Sequence, residues 1–243
     1  MTKIKFGTDG WRAIIAKEYT TDNVARVSIA VADWLNENNE NSSVVIGHDC
    51  RFAGEIFAET AAKVLASKGV LVKLAKGFVS TPMVSFGVLS EKASLGVVIT
   101  ASHNPPSYNG YKLKGDFGGP LLPVDITAVE NKIPDANSVD YNAISMQDLV
   151  AEGKVIYVDL EEMYCKHAKA NFDLDAIRNS DMNFAYDAMF GAGMNVVKRL
   201  LPEATLLHCD DNPGFLGTAP EPIHRNLQEF SDLMKNNALD CGL

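Results

Sequence analysis

Between residues 24 and 100 the apolar residues alternate between two spacings, and this alternation restricts the fold more than any other feature of the chain. Val24, Val27, Val31, Trp34 and Leu35 recur at helical spacing, with Thr21 or Asp22 placed as an N-cap. Ser43-Val-Val-Ile-Gly47 then reads as a short buried strand. Residues 55–68 return to helical spacing through Phe57, Ala61, Val64 and Leu65, and Gly69 is suited to close that helix. Val70–Ala75 is a second strand. Thr81–Leu89 is a short helix with Pro82 in its first turn, and Leu95–Thr100 is a third apolar strand. Helices alternating with short β-branched runs predict a doubly wound α/β sheet.

Residues 101–123 break the alternation, with four prolines and four glycines. Such dense turn chemistry exceeds what an ordinary connection needs. A domain boundary is expected within residues 134–155, where the patterning is weak. Beyond it, residues 160–178 read as one helix and Asn183–Asp187 as a strand. A turn at Gly191-Ala-Gly193 leads into a helix ending at Leu201, followed by a strand at Ala204–His208 and a helix from Asn226 to Asn237. Leu239–Leu243 has the look of a strand beginning. The expectation is two consecutive doubly wound mixed-sheet α/β domains, 1–145 and 155–243, the second incomplete, in a chain that is part of something longer. Gly191-Ala-Gly193 is a poor dinucleotide-binding signal, because Val196 stands where a third glycine belongs.

Charge and cysteine usage narrow the partners. The net charge is −9, from 22 basic and 31 acidic residues, which disfavours nucleic acid and anionic membranes as partners. A phosphate-bearing ligand therefore needs a local basic pocket. Cys50, Cys165, Cys209 and Cys241 are widely spaced and form no Cys-x-x-Cys pair, which fits free thiols better than zinc ligands. No apolar run approaches the ~20 residues of a membrane span. Met1–Gly7 carries no apolar signal core, so the expected compartment is the cytoplasm.

The chemistry is concentrated in Thr100-Ala-Ser-His-Asn-Pro-Pro-Ser-Tyr-Asn-Gly-Tyr-Lys-Leu113. Ser102 follows the C-terminal end of an apolar strand, the edge where open α/β sheets bind ligands. Two prolines stiffen the segment, and Asn109-Gly110 signals a hairpin turn that would fold Lys112 back toward Ser102. The residues alone leave three readings. One is a structural loop. The second is a serine nucleophile, weakened by the absence of Gly-x-Ser-x-Gly and Ser-x-x-Lys patterns. The third is a phosphorylated serine needing cations, for which Arg12 and Arg51 are candidates.

Phe6-Gly-Thr-Asp-Gly-Trp-Arg12, together with the Ser102 segment, resembles the α-D-phosphohexomutase superfamily, in particular its phosphoglucomutase/phosphomannomutase branch. Asp49-x-Arg51 joins the resemblance, although Ala53-Gly54 replaces a frequent Ser-Gly. The resemblance implies that Ser102 is a phosphoserine exchanging a phosphoryl group with a hexose phosphate through a bisphosphorylated sugar. Mg²⁺ would sit on the Ser102 phosphate, and hexose 1,6-bisphosphate would act as activator. Lys112 would be the general acid/base. His103 would lie near the sugar hydroxyl or the phosphoserine, and Arg12 and Arg51 would join the substrate-binding set. The loop of Pro213, Gly214, Gly217, Pro220 and Pro222 would approach the cleft. The resemblance also implies four domains and an Asp-Gly-Asp-x-Asp-Arg metal loop. That loop does not occur here, and the third and fourth domains are missing partners, so the chain alone is expected to be inactive. The sequence favours glucose or mannose phosphates over glucosamine phosphate. The alternative is a noncatalytic sugar-phosphate-binding or assembly module of the same fold.

Overall fold

The computed structural model describes residues 3–7 and 10–243. Its first sheet has six strands: β1 (Trp11–Ile14), β2 (Ser43–His48), β3 (Leu71–Ala75), β4 (Leu95–Ile99), β5 (Tyr108–Gly115) and β6 (Val155–Val158). They lie in the order β1-β5-β4-β2-β3-β6. Strands β2, β3, β4 and β6 run parallel, while β5 is antiparallel to β4 and to β1. This is the mixed α/β sheet expected. Val155–Val158, placed by sequence at the start of the second unit, is an edge strand of the first sheet.

Helices cover both faces. On one side lie α1 (Thr21–Asn38) and α2 (Gly54–Ser67), with α4 (Pro123–Glu130) and α5 (Met146–Ala151) beside them. On the other lie α3 (Thr81–Ser90) and α6 (Leu160–Asn171). The N-cap of α1 lies one residue before the expected ones, at Thr20, whose hydroxyl accepts from the Asn23 amide. Its Val24, Val27, Val31 and Leu35 are fully buried against the sheet. All five residues of β4 are buried, as a strand covered on both faces requires.

The expected helix over 160–178 is two helices. Phe172 adopts extended backbone, and the Asp173 carboxylate caps a new helix, α7 (Leu174–Arg178), by accepting from the Ala176 amide. The remainder forms β7 (Phe184–Asp187), α8 (Met194–Leu200), β8 (Thr205–Leu207), α9 (Gln228–Asn236) and β9 (Cys241–Gly242). The second sheet is parallel, in the order β8-β7-β9. The opening strand expected over 239–243 is therefore present as β9.

The Asn109-Gly110 hairpin turn is not formed. Both residues lie inside β5, and the chain reverses earlier, between Ile99 and Tyr108. Gly110 serves close approach: a Cβ there would stand 2.5 Å from the Thr100 carbonyl oxygen and 2.8 Å from that of Trp11. Asn109 is wholly buried, and its side-chain oxygen accepts from the Gly110 amide. A dipeptide that favours turns is used here to let three strands crowd together.

Candidate functional site

The segment from Ala101 to Ser107 stands at the C-terminal edge of β4. It is held from below by one arginine. Buried Arg51, just past β2, donates to four loop carbonyls: those of Ser102 at 2.7 Å, Asn104 at 2.6 Å, Pro105 at 2.9 Å and Tyr108 at 3.0 Å. A planar guanidinium with five fixed donors suits this convergence, which an ammonium could not match.

Asp49 fixes Arg51 and reaches the serine by a second route. Its carboxylate accepts from the Arg51 amide at 3.0 Å and lies 3.5 Å from Arg51 Nε. It also accepts from the Thr100 hydroxyl at 2.5 Å, and Thr100 Oγ1 in turn accepts from the Ser102 amide at 2.9 Å. Burial pushes the Asp49 carboxyl above its ordinary value, opposed by the Thr100 hydrogen bond and the Arg51 charge. Burial lowers the Arg51 guanidinium from its usual value; Asp49 opposes this and Arg12 adds to it.

Held at both ends, Ser102 takes a left-handed backbone, φ 55°, and its side chain is exposed. Such a conformation is costly for a non-glycine residue and persists where surrounding contacts enforce it. The exposed His103 follows. Ser102 and His103 line one wall of an open cleft of about 440 Å³, together with Asp49 and Cys50. The opposite wall comes from the second half, through Asp187, Met189, Phe215, Pro220 and Pro222. The loop over 213–222, expected to approach the cleft, lines it.

Arg12 and Lys112 are neighbours through the sheet. Arg12 on β1 is paired with Gly110 on β5, and Lys112 lies two residues further along β5, so both side chains leave the same face. Arg12 Nη1 donates to the Asn104 side chain at 3.0 Å, two residues from Ser102. Lys112 is buried, and its stem passes close to Gly10. Tyr19 braces this corner: its hydroxyl donates to the Gly110 carbonyl at 2.8 Å, and its ring stacks on Trp11 and meets Phe57 edge-on. Thr8 and Asp9, between Phe6 and Arg12, lie outside the described residues.

The structure thus gathers Ser102, His103 and Arg12 around one loop, sets Lys112 beside Arg12, and places Arg51 beneath them. Sequence reasoning gave no role to Thr100, Asn104, Asp187 or Phe215. The Asp187 carboxylate ends β7, accepts from the Met189 amide at 2.8 Å and lies 2.9 Å from His208 Nδ1. No short motif marks that pair, since 21 positions separate its members.

A six-stranded mixed sheet presenting a strained serine at its C-terminal edge, facing a second α/β unit across a cleft, defines a two-unit α/β protein with a candidate serine-bearing site. Comparison with known proteins narrows this. The family model described as phosphoglucomutase/phosphomannomutase, alpha/beta/alpha domain I, matches residues 3–140, and that for domain II matches residues 162–243. The chain belongs to the phosphoglucomutase/phosphomannomutase family. A phosphoglucomutase from Staphylococcus saprophyticus is 32% identical over 82% of this chain and 37% of its own length. A phosphoglucomutase/phosphomannomutase from Thermococcus kodakarensis is 30% identical over 98% of this chain and 52% of its own. A crystal structure from Thermus thermophilus, assigned as a phosphomannomutase, superposes with a TM-score of 0.87 at 34% identity, covering 97% of this chain and 53% of that one. The chain spans between 37% and 53% of the length of these relatives.

Members of the family generally use Mg²⁺. Among the described residues, no three His, Cys, Asp or Glu side chains converge as a metal site. The side chains present do not by themselves fit the ion. No described helix is long and apolar enough to cross a membrane.

Proposed function

We propose that this chain forms the phosphoserine side of a phosphohexomutase active site, which interconverts hexose 1-phosphate and hexose 6-phosphate. In this reading a phosphoryl group passes from the Ser102 oxygen to a free sugar hydroxyl. The Ser102 Oγ–P bond breaks, a sugar O–P bond forms, and Lys112 takes up the hydroxyl proton and hands a proton to the departing Ser102 oxygen. After the bisphosphorylated sugar reorients, its other phosphate returns to Ser102 and the proton returns to the sugar oxygen that leaves. Arg12 holds the Asn104 end of the loop and offers its charge to phosphate oxygens. His103 contacts the sugar from the cleft wall. Arg51 and Asp49 position the serine. We take the two units to divide between the segments matched by the two family models.

One observation carries the reading: an exposed, left-handed Ser102 whose loop carbonyls are gathered by a buried guanidinium, with Arg12 and Lys112 on the adjoining sheet face. Positioned cations at a transferring phosphoryl group are the main source of rate in such chemistry. The substrate class is a sugar monophosphate. Relatives of similar identity carry the names phosphoglucomutase, phosphoglucosamine mutase and phosphoribomutase, so overall similarity does not choose the sugar.

The test is incubation of the chain, fused to the C-terminal half of the Thermococcus kodakarensis relative, with glucose 1,6-bisphosphate and Mg²⁺, followed by peptide mass spectrometry. Phosphate on Ser102, lost in Ser102→Ala and formed roughly 10²–10⁴ times more slowly in Lys112→Ala, is the expected result. Saturable binding of glucose 6-phosphate by the chain itself, with no phosphoserine formed in the fusion, would replace this reading with that of a noncatalytic sugar-phosphate-binding module. The open, two-walled cleft beside Ser102 and His103 would serve binding as well as transfer, and it is the observation behind that second reading.

A further inference from the structure

The four hydrogen bonds of Arg51 leave one face of its guanidinium to be covered, and the cover comes from the other half of the chain. Phe215, in the loop after β8, is 4% exposed and places its ring centroid 5.2 Å from Arg51 Cζ. The loop is bent to achieve this. Phe215 and Leu216 are consecutive non-glycine residues in left-handed backbone, φ 48° and 51°. The turn is closed by Phe215 N–H to the Asn212 carbonyl at 2.9 Å and Gly217 N–H to the Gly214 carbonyl at 2.7 Å. Two strained residues in succession, delivering one aromatic ring onto a buried cation, need a compensating contact. A desolvated guanidinium over a ring face is such a contact.

We infer that Phe215 is a positioning residue for the Ser102 loop. It caps the guanidinium that holds the loop carbonyls, so the seating of the second half on the first sets how firmly Ser102 is presented. The functional meaning rests on the phosphoserine reading above, but the mechanical claim does not. With the ring in place, Arg51 is confined between Asp49 and Phe215 and its donors stay aimed at the loop. Without it, water reaches the guanidinium face and competes with the carbonyls for its donors.

Amide hydrogen exchange of the chain tests this directly. The reporters are peptides covering Ser102–Tyr108, where the amides of Ser102, Asn104 and Tyr108 are bonded within the loop. The β2–β3 ladder serves as internal reference. Phe215→Leu, which keeps an apolar cap without a ring, is expected to speed exchange in the loop about tenfold and leave the ladder unchanged. Phe215→Tyr, which keeps the ring, should preserve the loop's protection. Pentafluorophenylalanine at position 215 keeps the shape and inverts the ring's charge distribution, so it should behave as Phe215→Leu does. Loop exchange unaltered by the fluorinated ring overturns the inference. Equal acceleration in loop and ladder overturns it too, because Phe215 is then ordinary core. If Phe215→Leu does not fold, the fluorinated ring decides alone. Ser102 phosphorylation is a separate readout, so failure of the phosphoserine reading and failure of this inference remain distinguishable.

Discussion

The two sheets of this chain are built from the same plan and differ in depth. In the first, β4 is buried along its whole length and β2 along its four central residues, with helices on both faces. In the second, β7 fully buries only Ala185, and β8 buries none of its three residues. The first sheet is a platform stiff enough to hold a strained serine. The second is thin, and its best-buried aromatic, Phe215, is pressed against the first. The stability of the second half is thus drawn partly from contact with its neighbour, and the site lies where the two meet.

That contrast can be broken by mutation, and the largest effects belong to the first sheet. Leu95→Ala removes a fully buried side chain from β4 and should cost about 3–5 kcal/mol. Leu206→Ala in half-buried β8 should cost about 1 kcal/mol. Urea unfolding midpoints at constant slope measure both, and equal losses would refute the contrast. Gly110→Ala comes next, at roughly 2–3 kcal/mol, because its Cβ would press on two backbone carbonyls that cannot move independently of the sheet. The same substitution at Gly153, where no atom lies within 4 Å, is strained only by its φ of 71° and should cost less.

A smaller effect concerns pH. Folding raises the Asp49 carboxyl through burial, so the folded chain holds that proton more tightly than the unfolded one. The group's contribution to stability is then fully present below the unfolded value and lost as pH rises through the raised folded value. The stability of the parent relative to Asp49→Asn should therefore increase on acidification, read from paired denaturation curves across the acidic range up to neutrality. A difference flat with pH would show that the hydrogen bonds from Thr100 and Arg51 cancel the burial. The smallest effect belongs to the surface. Arg199 on α8 pairs with Glu161 and Glu162 on α6, and its hydrogen bond holds Glu162 below the usual carboxylate range. That contribution is present above the unfolded carboxylate value and lost as pH falls through the depressed one. Arg199→Ala should lower the melting temperature only marginally at neutral pH, with the difference vanishing in acid.

Most of the first half was legible because period and burial coincide there. The run Leu95–Thr100 reads as an apolar strand, and Leu95–Ile99 forms one, buried along its whole length. The misreadings have local causes. Asn109-Gly110 carries turn chemistry, yet Gly110 was needed for close packing of carbonyls, a demand no local pattern reports. The helix over 160–178 kept its apolar period across Phe172, and only the Asp173 cap breaks it. In the site, Ser102 and Lys112 stood out by motif. Arg51 stood out as a cation, but its four carbonyl partners are backbone atoms, invisible to residue type. Phe215 lay beyond sequence reasoning because its partner is 164 positions away in a different unit.

Because Arg51 grips main-chain oxygens, its hold on the loop is indifferent to which side chains the loop carries. Residues 103 and 107 could be exchanged for others that tolerate the same backbone path, and the serine would still be held at the same height above the sheet. A frame that reads only carbonyls separates presentation from recognition. It leaves the display side of the loop open to be rewritten for a different ligand while the strained serine stays where it is.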